Sequence, residues 1–279
     1  MKIFILGCQR SGTTLLRLIL DSHSEICCYD EVESYDILEK RKISENKKKH
    51  IGFQTPGYTE LFNEYQCVAD LCDKDDKIIF MFREPKAVIA SMKTKKNFLR
   101  VEIENNGNMW LQDKARNYKE YYNKIKPYLL TYDRNATSNG LLLPEIYQKE
   151  FDNIIYKENL IKKACAYYNY KSESYFKLKN KTYLLKYEDL IHNSLQKTND
   201  IAQFLGVEWE ESMLKHHQIE HTGIVEGIAM GGTQAKRQID HTSLDLWKKH
   251  LSETDVEIID SFCKATYEKL CQQPDITPC

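Results

Sequence analysis

The fold is read first from Lys2-Ile3-Phe4-Ile5-Leu6-Gly7-Cys8-Gln9-Arg10-Ser11-Gly12-Thr13-Thr14-Leu15-Leu16. A short apolar run, partly β-branched, ends at Gly7. Continuous rather than alternating apolarity is what a strand shows when both of its faces are covered. Beyond the glycine-bearing loop a helix is predicted from Thr13 or Thr14 through Leu15, Leu16, Leu18 and Ile19. Strand, loop and helix in this order open a parallel α/β unit.

The same grammar recurs downstream. Lys77-Ile78-Ile79-Phe80-Met81-Phe82 reads as a central strand, and Pro85 suits the first turn of a helix carrying Ala87, Val88, Ile89 and Met92. Thr182 to Lys186 is another strand. Asn193 or Ser194 can cap the helix of Ile201, Phe204 and Leu205, which stops at Gly206. Tyr58 to Leu71 is predicted helical, and Glu39 to His50 is a charged surface stretch. The segment from about 97 to 175 is rich in Tyr, Asn and Lys. It has helical periodicity around Trp110 to Ile125 and Ile155 to Tyr168, with a loop at Tyr132 to Gly140. Gly223 to Gly232 is a glycine-rich loop. The last helix starts near Ser252, capped within Ser252-Glu253-Thr254-Asp255, and runs to about Leu270. The expected fold is three-layer α/β, a central parallel sheet flanked by helices, in one domain spanning 1–279.

Composition sets the outer limits. The 279 residues are 42% hydrophobic, enough for a sizeable core. Forty basic residues against forty-one acidic leave a net charge of -1, so bulk electrostatics offers no case for a nucleic-acid partner. Nine cysteines contain no CxxC pair and read as free thiols in a reducing compartment. No signal peptide is expected before the first apolar run, and no run approaches membrane-spanning length. A soluble cytoplasmic protein is the expectation.

Three local signals carry chemistry. Gly7-Cys8-Gln9-Arg10-Ser11-Gly12-Thr13-Thr14 has the glycine spacing and terminal hydroxyl of a nucleotide-triphosphatase phosphate loop, but Thr13 stands where that loop needs lysine. Its backbone N–H groups, the hydroxyls of Ser11, Thr13 and Thr14, and the Arg10 guanidinium can still converge on a phosphate. Arg83 follows a strand, where parallel sheets face their ligands, and Ser91 lies two turns into the next helix. Glu31 follows the Ile26-Cys27-Cys28 run. A carboxylate there can serve as a general base, with Asp30 as its rival and Glu33 more distant, or it can belong to a surface acidic cluster.

Together and in this order, these signals resemble the family of sulfotransferases that use 3′-phosphoadenosine 5′-phosphosulfate (PAPS). Gln9-Arg10-Ser11-Gly12-Thr13-Thr14-Leu15-Leu16 is similar to the motif that holds the 5′-phosphosulfate. Arg83 to Ser91 is similar to the one whose arginine and serine hold the 3′-phosphate. Tyr187-Glu188-Asp189-Leu190 with Phe204-Leu205-Gly206 resembles the family's later strand-turn-helix. Gly231-Gly232 through Lys236-Arg237, then Trp247 and Leu251-Ser252, resembles its C-terminal lid and final helix. The arginine form of the loop and Leu20-Asp21-Ser22-His23 resemble the tyrosylprotein and carbohydrate branches. Matching from Asp21 then puts the catalytic acid on Glu31, with Asp30 behind it.

The resemblance implies transfer of a sulfuryl group from PAPS to a hydroxyl or amine, leaving adenosine 3′,5′-bisphosphate and needing no metal. Glu31 is the implied base and Arg10 the implied stabiliser of the leaving phosphate. Lys236 and Arg237 are provisional contacts to the 3′-phosphate. With no signal peptide or membrane anchor expected, the expected acceptor is a small molecule or a carbohydrate, free or lipid-linked. One departure stands out: related branches carry a lysine where this chain has Gln54, before Thr55-Pro56. The alternatives are a P-loop kinase or nucleotidase, and a nucleotide-binding scaffold without turnover.

Overall fold

The computed structural model describes residues 1–40, 48–56, 72–94, 160–178, 182–229 and 233–276. Five parallel strands form the centre: β1 (Lys2–Gly7), β2 (Ile26–Tyr29), β3 (His50–Gln54), β4 (Lys77–Phe82) and β5 (Thr182–Lys186). Their order is β2-β3-β1-β4-β5, so the chain changes direction across the sheet beside β1. At such a reversal the loops beyond adjacent strands diverge, and the crevice between their carboxyl ends is where ligands bind.

Side chains of β1 alternate between two cores. Ile3 and Ile5 pack with Leu16, Ile19, Ile79 and Leu185 on one face; Phe4 and Leu6 pack with Phe53, Phe80 and Leu184 on the other. Both faces are apolar, which is why the strand reads as an unbroken run. On the first face lie α1 (Thr13–Asp21), α5 (Tyr187–His192) and α6 (Ser194–Leu205). A third cluster joins α3 (Pro85–Thr94), α4 (Leu160–Glu173) and α8 (Glu253–Cys271), which follows the short α7 (Trp247–His250), through Val88, Ile89, Met92, Cys165, Tyr168, Ile259 and Cys263. The three-layer expectation holds, as do the predicted starts at Thr13 and Pro85 and the left-handed stop at Gly206. Ser252 caps α8 in a reciprocal box with Asp255.

Other expectations need correcting. His50, expected to end a charged surface stretch, instead opens the strand β3, in which His50, Phe53 and Gln54 are buried. Glu31–Lys40 forms a helix, α2, that the pattern did not announce because its apolar residues are few. The stretch read as a loop from Gly223 contains a hairpin, β6 (Ile224–Val225) and β7 (Ile228–Ala229), followed by β8 (Thr233–Gln234). Glu226 and Gly227 both have positive φ, 50° and 77°, giving the hairpin the turn twist that matches its strands. A glutamate at the first of these positions hides that turn from a search for Asn-Gly. The predicted helices at 58–71 and 110–125, and the loop at 132–140, lie outside the described residues; of 155–168, the part from Leu160 is in α4.

Candidate active site

The loop between β1 and α1, read from sequence as a phosphate loop, is shaped by two glycines. Gly7 ends β1 with φ 132°, and a Cβ there would lie 2.1 Å from the Met81 carbonyl oxygen. Gly12 has φ 97°, and a Cβ would lie 2.4 Å from Cδ2 of Tyr187. Between them the Ser11 N–H donates to the Cys8 carbonyl at 3.1 Å, and Arg10 takes φ 74°. A left-handed arginine stores strain on the order of 1–2 kcal/mol. The loop delivers the first turn of α1, whose leading N–H groups have no intrahelical acceptor.

Arg10 and Arg83 meet across the mouth of the β1/β4 crevice. Arg10 Nε donates to Ser91 Oγ at 2.9 Å, and Arg83 Nη1 donates to the Arg10 carbonyl at 3.3 Å. Arg83 Nη2 donates to the Ser243 carbonyl at 2.6 Å, and its guanidinium lies 4.2 Å from the Tyr187 ring centroid. The Tyr187 hydroxyl shares a 2.6 Å hydrogen bond with Ser243 Oγ. From below, the buried Tyr168 hydroxyl donates to the Arg83 carbonyl at 2.9 Å. Tyr168 is therefore a core residue that positions Arg83.

Electrostatics marks this crevice. Burial, and then the Arg83 charge, pull Arg10 below the ordinary arginine range. Burial likewise lowers Arg83, opposed by Tyr187 and Glu188. Both groups stay cationic, since an arginine is protonated throughout the working pH range. Among the described residues no carboxylate pairs with Arg83, whose buried Nε has no hydrogen-bond partner. Burial pushes Glu188 upward, against the pull of its bond from the Glu84 N–H and of Arg83.

A cleft of about 320 Å³ opens here. Its walls are Arg10, Gly12, Thr13 and Thr14; Arg83; Ala87, Ala90, Ser91 and Thr94 of α3; Tyr187; and a C-terminal covering segment that includes Thr233, Arg237, Asp240, Ser243 and Trp247. So the structure brings Arg10, Gly12, Thr13, Thr14, Arg83, Ser91 and Arg237 to one cavity. Gln9 and Ser11 are buried within the loop, and neither they nor Lys236 line it. Arg237 is bound to Asp240 and Thr242. Tyr187, Ser243 and Trp247 were missed as site residues. Tyr187 and Trp247 stood inside quoted motifs, but Ser243 carried no signal, because its role comes from a fold-back of 160 residues onto Arg83.

The acids lie apart from the cleft. Asp30 Oδ1 accepts from the Glu33 N–H at 2.9 Å, and Glu33 Oε2 accepts the Asp30 N–H at a longer 3.5 Å. Asp30 thus caps α2, and half-buried Glu31 is the first residue of that helix. Gln54 is buried, with its Nε2 donating to Thr14 Oγ1 at 2.9 Å, so it braces the phosphate loop. The buried Lys171 ammonium donates to the Pro56 carbonyl at 2.8 Å and ties down the same segment.

Fold and site together define an α/β domain with a parallel sheet, a glycine-shaped loop after β1 and a cleft lined by two arginines. The sequence profile of the sulfotransferase domain matches residues 1–271, and the chain belongs to that family. It is 22% identical over 254 residues to protein-tyrosine sulfotransferase 2 of Gallus gallus, which covers 89% of this chain and 63% of that protein. With protein-tyrosine sulfotransferase A of Caenorhabditis elegans the identity is 23% over 263 residues, 93% of this chain and 64% of the relative. The chain therefore spans a little under two thirds of these relatives. In fold it is similar to the sulfotransferase domain of the Synechococcus PCC 7002 olefin synthase. The TM-score there is 0.53 at 16% identity, with 94% of each chain covered. The sulfotransferase domain of the curacin biosynthetic pathway is comparable, with a TM-score of 0.51 at 16% identity, covering 93% of this chain and 95% of that one.

Proposed function

We propose that this protein transfers the sulfuryl group of PAPS to an acceptor hydroxyl, releasing adenosine 3′,5′-bisphosphate. The observation that carries the reading is the buried Arg83 guanidinium, whose hydrogen-bond acceptors among the described residues are carbonyls, beside the half-buried Arg10 guanidinium. A buried guanidinium next to a second positive charge favours an anion bound between them. The cleft suits the donor at both ends. Loop amides, Thr13, Thr14 and Arg10 are available to a 5′-phosphosulfate, and Arg83 and Ser91 to a 3′-phosphate. Its volume is at the lower end of what nucleotide-sized ligands occupy.

In this reading the acceptor oxygen attacks sulfur in line with the bond to the 5′-phosphate. As the new O–S bond forms and the old one breaks, the acceptor proton passes to Glu31. Arg10 and the first-turn amides of α1 receive the charge left on the phosphate. The match from Asp21 onward favours Glu31 over Asp30 as the base. Gln54 brings no charge and acts through Thr14, so Arg10 carries the larger share of stabilisation. Removing Arg10 is expected to cost about 2–4 kcal/mol in transition-state binding, the usual loss of one donor in a preorganised anion site.

Thermal-shift and calorimetric titrations with adenosine 3′,5′-bisphosphate and with ATP plus magnesium test the donor site. Stabilisation by the bisphosphate alone is expected; stabilisation by ATP with magnesium alone would move the reading to a kinase or nucleotidase. The acceptor is sought by incubating donor-loaded protein with tyrosyl peptides, phenols, glycans and amines, and scanning the products for the mass of an added sulfuryl group. The names of the relatives put tyrosyl peptides in that panel. A small molecule or carbohydrate remains the acceptor proposed here. Tight bisphosphate binding with no transfer to any acceptor would leave a scaffold without turnover.

A further inference from the structure

The segment that covers the donor cleft is rooted on the acidic pair. Arg17 of α1 is fully buried, and its Nε donates to the Cys28 carbonyl at 3.0 Å, just before the acids. Its Nη2 donates to the Thr222 carbonyl at 2.6 Å and to Thr222 Oγ1 at 3.1 Å. The Thr222 hydroxyl is in turn 3.4 Å from Glu33 Oε2, to which it donates. The next residue, Gly223, is pressed onto the neighbouring acid: a Cβ there would lie 2.0 Å from Asp30 Oδ2, and its φ is +69°. One residue earlier, His221 Nδ1 is 2.7 Å from Asp21 Oδ2, and Asp21 Oδ1 accepts the Cys28 N–H at 2.9 Å. Both carboxylates of the α2 cap thus touch Thr222–Gly223, and β2 is held by the same two α1 side chains that hold the segment.

From Thr222–Gly223 the chain runs directly into the hairpin and then to Thr233, Arg237 and Ser243 at the donor cleft. We propose that Thr222 and Gly223 are positioning residues for the acids: they set the first turn of α2, and with it Glu31, from the root of the segment that covers the donor. This rests on the reading of Glu31 as the base. Neither residue touches the donor cleft. Their contribution is to the aim of the carboxylate, and a catalytic group displaced by an ångström loses much of its effect.

The test is backbone hydrogen exchange in the peptide containing Glu33 and Ser34, whose N–H groups are held by Asp30. It is read in wild type, Thr222→Val, Thr222→Ser and Gly223→Ala, alongside calorimetric bisphosphate affinity. Release of sulfate from the donor to water is followed in parallel, a turnover that needs no identified acceptor. Thr222→Val is expected to speed exchange about fivefold, the effect of a weakened cap. It should lower sulfate release while leaving bisphosphate affinity within about threefold. Thr222→Ser, which keeps the hydroxyl, should restore both. Unchanged exchange in folded Thr222→Val overturns the proposal. So does a fall in bisphosphate affinity that matches the fall in turnover, because the root would then serve the donor. If Gly223→Ala does not fold, the Thr222 pair decides. Glu31→Gln separates the two readings: sulfate release that survives it removes Glu31 as base, whereas the exchange data still report whether Thr222 holds the acids.

Discussion

Arg83 does more at this site than its place at a strand end suggests. It sits on the Tyr187 face, holds two carbonyls and is braced by Tyr168, so its charge is aimed before any ligand arrives. Arg83→Ala should lower affinity for adenosine 3′,5′-bisphosphate by about 1.5–3 kcal/mol, the value of a charged hydrogen bond. Ser91→Ala should cost less, and both should barely affect an analogue lacking the 3′-phosphate. Equal losses for the two ligands, by calorimetry, would place the 3′-phosphate elsewhere. For the acids, Glu31→Gln is expected to reduce turnover by about 10²–10⁴-fold with bisphosphate affinity kept. Asp30→Asn still accepts the Glu33 N–H and should cost far less. A larger loss from Asp30→Asn, measured under conditions where chemistry limits the rate, would exchange their roles.

At the scale of an element, the phosphate loop and α5 are one unit. Gly12 leaves the space into which the Tyr187 ring fits, and that ring supports Arg83 and reaches Ser243. Gly12→Ala imposes both a clash and a left-handed alanine, a cost on the order of 1–3 kcal/mol. The ring must then move. The expected outcome is a lower Tm together with at least about tenfold weaker bisphosphate binding, since the stacked arginine loses its support. Normal bisphosphate affinity in a folded Gly12→Ala variant would show that the ring does not organise the site. The capping box of α8 is a contrasting case: losing it in Ser252→Ala should cost about 1 kcal/mol of stability and leave binding alone.

For the whole molecule, His216 ties stability to pH. It is fully buried where the chain leaves the core for the covering segment. Burial, then the charges of His217 and His221, lower its pKa from 6.5 to about 4, with the nearby Arg237 backbone working in the opposite direction. A lowered histidine pKa means that the unfolded chain takes up the proton first. Stability is therefore complete above about pH 6.5 and is lost as pH falls toward about 4, by an amount on the order of 3 kcal/mol. Urea unfolding at pH 7.5 and pH 5 should show this fall, and His216→Leu should flatten it. An equally steep fall in that variant would assign the pH dependence to other groups.

The order of strand, phosphate loop and helix was legible because backbone geometry constrains it locally. A doubly covered strand must be apolar throughout, and a loop that turns under Met81 and beside Tyr187 must have glycine at positions 7 and 12. Arg10, Thr13, Thr14, Arg83 and Ser91 could be picked out for the same reason: each sits at a fixed offset from a strand end. β3 was not legible, because burial of His50 and Gln54 depends on neighbours distant in sequence, whereas α2 went unread for its few apolar residues although its Asp30–Glu33 cap is local. Ser243 reaches Arg83 across 160 residues, and Thr222 reaches Arg17 across 205. Sequence alone determined the parallel sheet and the glycine-shaped loop that follows β1, through steric rules that act within a few residues. Only the tertiary structure decided which side chains share the cleft and what seats the acids, because those contacts exist only once the chain has folded back on itself.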